Sequence, residues 1–137
     1  MAMKFSFEDV YRHIGYLFYA LAAEHGKLNT VTFDKLTRLV DQQWYPSGGE
    51  TTVETQLVGH LHDGLRTAFE MAKPSSEAFF DFKSYYSIHV APFGQSLRSR
   101  IFSTSNTIAS EFSGNGKKSA FLTELEKLLV VNPIALV

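Results

Sequence analysis

From residue 7 to residue 28 the apolar residues Phe7, Val10, Tyr11, Ile14, Leu17, Phe18 and Leu21 recur at spacings of three and four. That spacing stacks them on one face and predicts a helix, the element around which the rest of the chain is organised. Ser6 stands just before the run and Asp9 three residues on, the spacing of a capping box. The opposite face carries Glu8, Arg12, Tyr16, Tyr19 and Ala23 and is only half polar. Its two tyrosines imply a second, shallower contact with another helix or with a partner.

The same period marks five further helices. After a turn at residues 25–30, with Gly26 suited to a left-handed position, Phe33, Leu36, Leu39 and Val40 share a face, with Thr30 or Thr32 as cap. Residues 45–49, YPSGG, form the strongest break in the chain. Thr51 and Glu54 then restart a helix with the stripe Val53, Leu57, Leu61, Leu65, Ala68 and Phe69. Beyond Pro74, a fourth helix groups Ala78, Phe79, Phe82, Tyr85, Tyr86 and His89, with Phe80 facing away. Pro92 breaks it, and a fifth helix from about residue 93 to 112 turns Leu97, Ile101, Ile108 and Phe112 inward. After the turn at residues 113–116, Phe121, Leu122, Leu125, Leu128 and Leu129 define a sixth, which Asn132 and Pro133 are expected to end. No period-two alternation extends beyond a few residues. The expectation is an all-α fold: a single compact domain of five to seven helices.

Composition narrows the function classes. A chain of 137 residues, 45% hydrophobic and 14% aromatic, can bury the core of one domain. A net charge of −1 provides no broad basic surface, so nucleic acid is not an expected partner. The absence of cysteine excludes disulfides, thiolate metal sites and cysteine nucleophiles. Glu8 and Asp9 interrupt any secretory apolar core, and no apolar run reaches the roughly 20 residues of a membrane span. A cytoplasmic protein without a transmembrane segment is the expectation. The apolar end, with Ile134, Leu136 and Val137, is expected to be buried against the domain, a protein partner or a second copy.

Two segments echo each other. LAAEH at 21–25 parallels IASEF at 108–112, and Phe33, Leu36, Leu39 and Val40 parallel Leu122, Leu125, Leu128 and Leu129. Either the chain carries an internal two-fold repeat, with halves at residues 6–70 and 75–131, or two helical hairpins merely look alike at this resolution. Residues 16–40, YLFYALAAEHGKLNTVTFDKLTRLV, resemble the first half of the tellurite-resistance TerB-like domains, small all-helical proteins built from two similar halves. Ala22, Ala23, Gly26, Lys27 and Leu28 carry the likeness. It departs from the family at His25, where an aspartate is usual, and at Val31 and Thr32, where acidic residues open the next helix. The resemblance covers about half the chain. It implies a cytoplasmic, stress-associated module, with metal binding at the acidic positions.

Candidate chemistry lies in a few places. Glu24, His25 and Glu111 would suit a divalent metal ion if the two halves brought them together; otherwise the two glutamates are exposed helix-end carboxylates, each at the unfavourable end of its own helix dipole. With His25 in place of aspartate, a transition ion is favoured over Ca²⁺. His60 and Asp63 are neighbours on one helix, whereas His62 points away, so one helix offers two ligands where a catalytic metal usually needs three. Gly114 to Ser119 fails the P-loop spacing and reads as a helix start, and His89 reads as a core histidine. The fifth helix is crowded with small hydroxyls, among them Ser99, Ser103 and Ser110, which either pack closely within the domain or line a groove. The first functional reading is a non-enzymatic stress-response or interaction module. The second is a divalent-metal-binding protein, and the third a metal-dependent hydrolase using His60 and Asp63.

Overall fold

The computed structural model describes residues 6–44, 53–113 and 118–134, with side chains up to residue 129 and, in the second segment, from residue 55. It holds six helices: α1 (Phe7–Ala22), α2 (Thr30–Trp44), α3 (Val53–Glu70), α4 (Ser75–Ile88), α5 (Gln95–Phe112) and α6 (Ala120–Ile134). No strand occurs among the described residues. The break at residues 45–49, the restart at Thr51, the glycines at 114 and 116, and the ending at Leu136 and Val137 lie outside them, as do the side chains of Val53, Glu54 and Ile134.

Helix α1 is the centre. It packs against α3, α4, α5 and α6, and Val10, Ile14, Leu17, Phe18 and Ala20 are fully buried. Ser6 caps it, with its Oγ accepting the Asp9 N–H at 3.1 Å. The face opposite the main stripe is covered from within. Tyr19 is buried, and its hydroxyl donates to the Lys73 carbonyl oxygen at 2.9 Å. Phe7, expected inward, is 47% exposed.

Helix α1 meets α3 closely, through glycine. A Cβ on Gly15 would collide with the Leu61 carbonyl oxygen and stand 2.9 Å from the Leu65 nitrogen. A Cβ on Gly64 would collide with the Arg12 carbonyl and stand 3.0 Å from its carbon. Two helices thus meet backbone to backbone, and the buried stripe of α3 becomes Val58, Leu61, Leu65 and Ala68, with Leu57 at its margin.

Several ends differ from the sequence expectation. Asn29 caps α2, not Thr30 or Thr32: its Oδ1 accepts the Thr32 N–H at 2.9 Å, and Thr32 Oγ1 accepts the Asn29 N–H at 2.8 Å. Gly26 is not in the left-handed region, whereas Ala72 is, with φ 50°. Ala72 closes α3: Lys73 N–H reaches Ala68 O and Ala72 N–H reaches Phe69 O, the two bonds of a Schellman motif. Helix α6 runs through Pro133 to Ile134 rather than stopping before it. Pro133 has no N–H for the Leu129 carbonyl four residues back, and Arg98 of α5 supplies the donor from Nη1 at 3.1 Å. That cross-helix bond satisfies the acceptor which a proline in the last turn leaves open.

Candidate binding groove

Helix α5 is built from mediocre helix formers, and its hydroxyls divide by direction. Ile101, Thr104, Ser105, Ile108 and Ala109 are buried. The indole N–H of buried Trp44 donates to Thr104 Oγ1 at 2.8 Å, and the Thr104 hydroxyl donates to Gln43 Oε1 at 2.9 Å. Small Ser105 and Ala109 leave room for α5 to lie against α1. Ser105 Oγ is buried and has no hydrogen-bond partner among the described residues.

The outward hydroxyls line a groove. Ser99 and Ser103 sit on the α5 wall of a cavity of about 540 Å³, with Phe102, Asn106 and Arg98, while Glu126 and Leu129 form the α6 wall. Phe102 and Leu129 make an apolar floor. Arg98 is held by the Leu129 and Gly94 carbonyls, so it fixes the groove's geometry. Glu126 is exposed and has no ion-pair partner among the described residues. From Gln95 to Asn106 the α5 wall spans three turns, roughly 16 Å. Ser110 lies apart from this groove, with Lys118 and Ser119 in a smaller depression nearer the end of α5.

Of the three residues weighed as metal ligands, the two glutamates are engaged with separate partners. Glu24, at the end of α1, reaches the start of α6: its carboxylate accepts from Ser119 Oγ at 2.5 Å, Ala120 N–H at 2.8 Å and Phe121 N–H at 3.2 Å. A carboxylate at the wrong end of its own helix thus serves the right end of another. Glu111, at the end of α5, approaches Lys35 of α2 at 3.5 Å. Each echoed glutamate therefore braces the short helix of the other hairpin. Helix α2 is already capped by Asn29, which leaves Glu111 free for a lysine. His25 is exposed on the turn after α1. Among the described residues no three His, Asp or Glu side chains are grouped as metal ligands.

His60 and Asp63 are neighbours, with His60 Nδ1 3.7 Å from Asp63 Oδ2, beyond hydrogen-bond reach, and Arg66 3.8 Å from the other Asp63 oxygen. His62 points elsewhere and donates to Asp41 of α2 at 2.7 Å. His89 is not a core residue: it is the half-exposed C-cap of α4, its ring against Tyr85.

Sequence reasoning missed His13. Its ring stacks on Tyr85 of α4 at 3.9 Å and meets Tyr16 edge-on at 5.1 Å, and its Nδ1 donates to the Asp9 carbonyl at 2.7 Å. The available signal was its place three residues before Tyr16, on the flank where α1 was expected to make its shallower contact. Burial lowers its pKa below the ordinary 6.5, with Arg12 adding to the shift and the bond to Asp9 and the charges of Asp9 and Asp81 opposing it. The unfolded chain therefore takes up the proton more readily. The stability this provides is fully present above pH 6.5 and is lost as pH falls through the lower folded-state value. Urea unfolding from about pH 8 to about pH 5 should show that decline, and His13→Gln should flatten it. Equal slopes in the two proteins would contradict the assignment.

No protein-family model, curated protein or solved structure matches this chain.

Proposed function

We propose that this protein acts by binding rather than by chemistry, as an interaction module whose α5–α6 groove receives an amphipathic segment of a protein partner. The observation that carries the reading is the groove itself: an apolar floor of Phe102 and Leu129, a hydroxyl-lined wall with Ser99 and Ser103, and on the rim Glu126, without an ion-pair partner among the described residues. Amphipathic helices dock by laying apolar anchors at spacings of three and four into such a floor. Small hydroxyls on the wall let a backbone approach closely, and Glu126 selects a segment with a Lys or Arg beside its apolar anchors. The resemblance of residues 16–40 to the TerB-like domains supports the same class of role, a stress-associated module in the cytoplasm. Among the described residues no helix is long and apolar enough to cross a membrane.

The test is selection of helical peptides from a displayed library on the wild-type protein, followed by binding to Phe102→Glu. Phe102 is only half-buried, so the substitution places a charge on the groove floor without emptying the core. The expected result is enrichment of peptides with apolar anchors and an adjacent basic residue, whose affinity falls about tenfold or more on Phe102→Glu. Peptides that bind both proteins equally, or no enrichment, would remove the groove as the binding face.

A further inference from the structure

A second cleft lies between α2 and α5, about 360 Å³ in volume, and both of its cationic side chains stand on α2. Lys35 and Arg38 stand one turn apart on the α2 rim, with Gln43 further along and Thr107 and Glu111 across on α5. The orientation of Gln43 is set from the core. The Trp44 indole can only donate, so Thr104 Oγ1 accepts from it and must spend its own hydrogen on Gln43 Oε1. Thr104 is 2% exposed, so no water competes for that hydrogen. The Gln43 amide is thereby turned with its NH₂ towards α5, where one hydrogen reaches Thr107 Oγ1 at 3.3 Å and the second is left for the cleft. Thr107 in turn spends its hydroxyl hydrogen on the Ser103 carbonyl, so its oxygen is the acceptor in that pair.

Arg38 is exposed and has no ion pair or hydrogen bond among the described residues. The carboxylate lining the cleft, Glu111, holds Lys35 at 3.5 Å with both side chains about half exposed, so a better anion displaces it at little cost, while Lys35 also reaches the Glu111 carbonyl at 3.5 Å and lies over the Phe112 ring at 5.1 Å. We infer that this cleft binds a compact oxyanion, a phosphate or carboxylate group, held by the Arg38 guanidinium and Lys35 with the Gln43 amide as a fixed third donor. The planar fork of Arg38 suits two-point contact with either oxyanion. The site is independent of the α5–α6 groove and stands or falls without it.

Titration of the full-length protein with sodium phosphate and, separately, with sodium succinate, at ionic strength held constant with chloride, tests the inference by NMR. The expected result is saturable movement of the Arg38 Nε–H and Gln43 side-chain amide signals. The fluorescence of Trp44, the single tryptophan, should move with them through Thr104. Arg38→Ala should weaken binding by about tenfold or more while leaving the spectrum of the fold intact, because Arg38 is exposed and has no ion pair or hydrogen bond among the described residues. Tighter binding of phosphate would assign a phosphorylated ligand, and tighter binding of succinate a carboxylate. Absence of saturation with both anions, or equal affinity in Arg38→Ala, would overturn the site.

Discussion

Gly64→Ala should destabilise the domain by about 3 kcal/mol or more, while Gly59→Ala, five residues earlier on the same helix, should stabilise it by roughly 0.5–1 kcal/mol. In an ordinary helix interior alanine is the better residue, because glycine loses more backbone freedom on folding. That gain operates at Gly59, where an added Cβ meets nothing within 4 Å. At Gly64 the same methyl group would run into the Arg12 carbonyl, and at Gly15 its counterpart would run into that of Leu61. Backbone in the middle of two helices has no rotamer to change, so relief requires the α1–α3 crossing to open along its whole buried stripe. Urea unfolding of Gly15→Ala, Gly59→Ala and Gly64→Ala measures the contrast. If Gly64→Ala and Gly59→Ala were equally stable, the close crossing would be wrong.

Glu24→Ala should cost about 2–3 kcal/mol, a large effect for a carboxylate so near the surface. Its removal leaves the Ser119 hydroxyl and the Ala120 and Phe121 N–H groups without their acceptor at the positive end of α6. Ser119 has a second task, accepting the Leu122 N–H at 2.9 Å, so its hydroxyl links the carboxylate to the helix. The double variant Glu24→Ala with Ser119→Ala should therefore cost less than the sum of the two single changes. Glu111→Ala, which releases only a half-exposed lysine, should cost no more than about 1 kcal/mol. Strict additivity in the double variant, or equal effects of the two glutamates, would contradict the cross-brace.

The contrast between those glutamates shows what a linear reading reaches. Periodicity placed α1 and its buried stripe, because burial on one face writes itself into spacings of three and four. The Ser6 cap was legible for the same reason, since its partner Asp9 is three residues away. The tasks of Glu24 and Gly64 were not legible, because their partners lie at Ser119 and Arg12, far along the chain. Glu24 stood out as a carboxylate at an unfavourable helix end, and only the packing supplied the second helix that makes it favourable. Pro133 carried a true local signal, a missing N–H, but the donor that replaces it comes from Arg98 on another helix. The excess of hydroxyls on α5 was visible as an oddity. Its division into Thr104 facing the core, Ser99 and Ser103 facing the groove, and Ser110 lying apart depends on where α2 and α6 pack.

The central claim is that the α5–α6 groove is the binding face. Its most direct measurement is a map of backbone amide shifts when a selected amphipathic peptide is added to the wild-type protein. The predicted result is perturbation centred on Ser99, Phe102, Ser103, Asn106, Glu126 and Leu129. Perturbation centred instead on the α2–α5 cleft at Arg38 and Gln43, or on the exposed α4 residues Phe80 and Ile88, would contradict it.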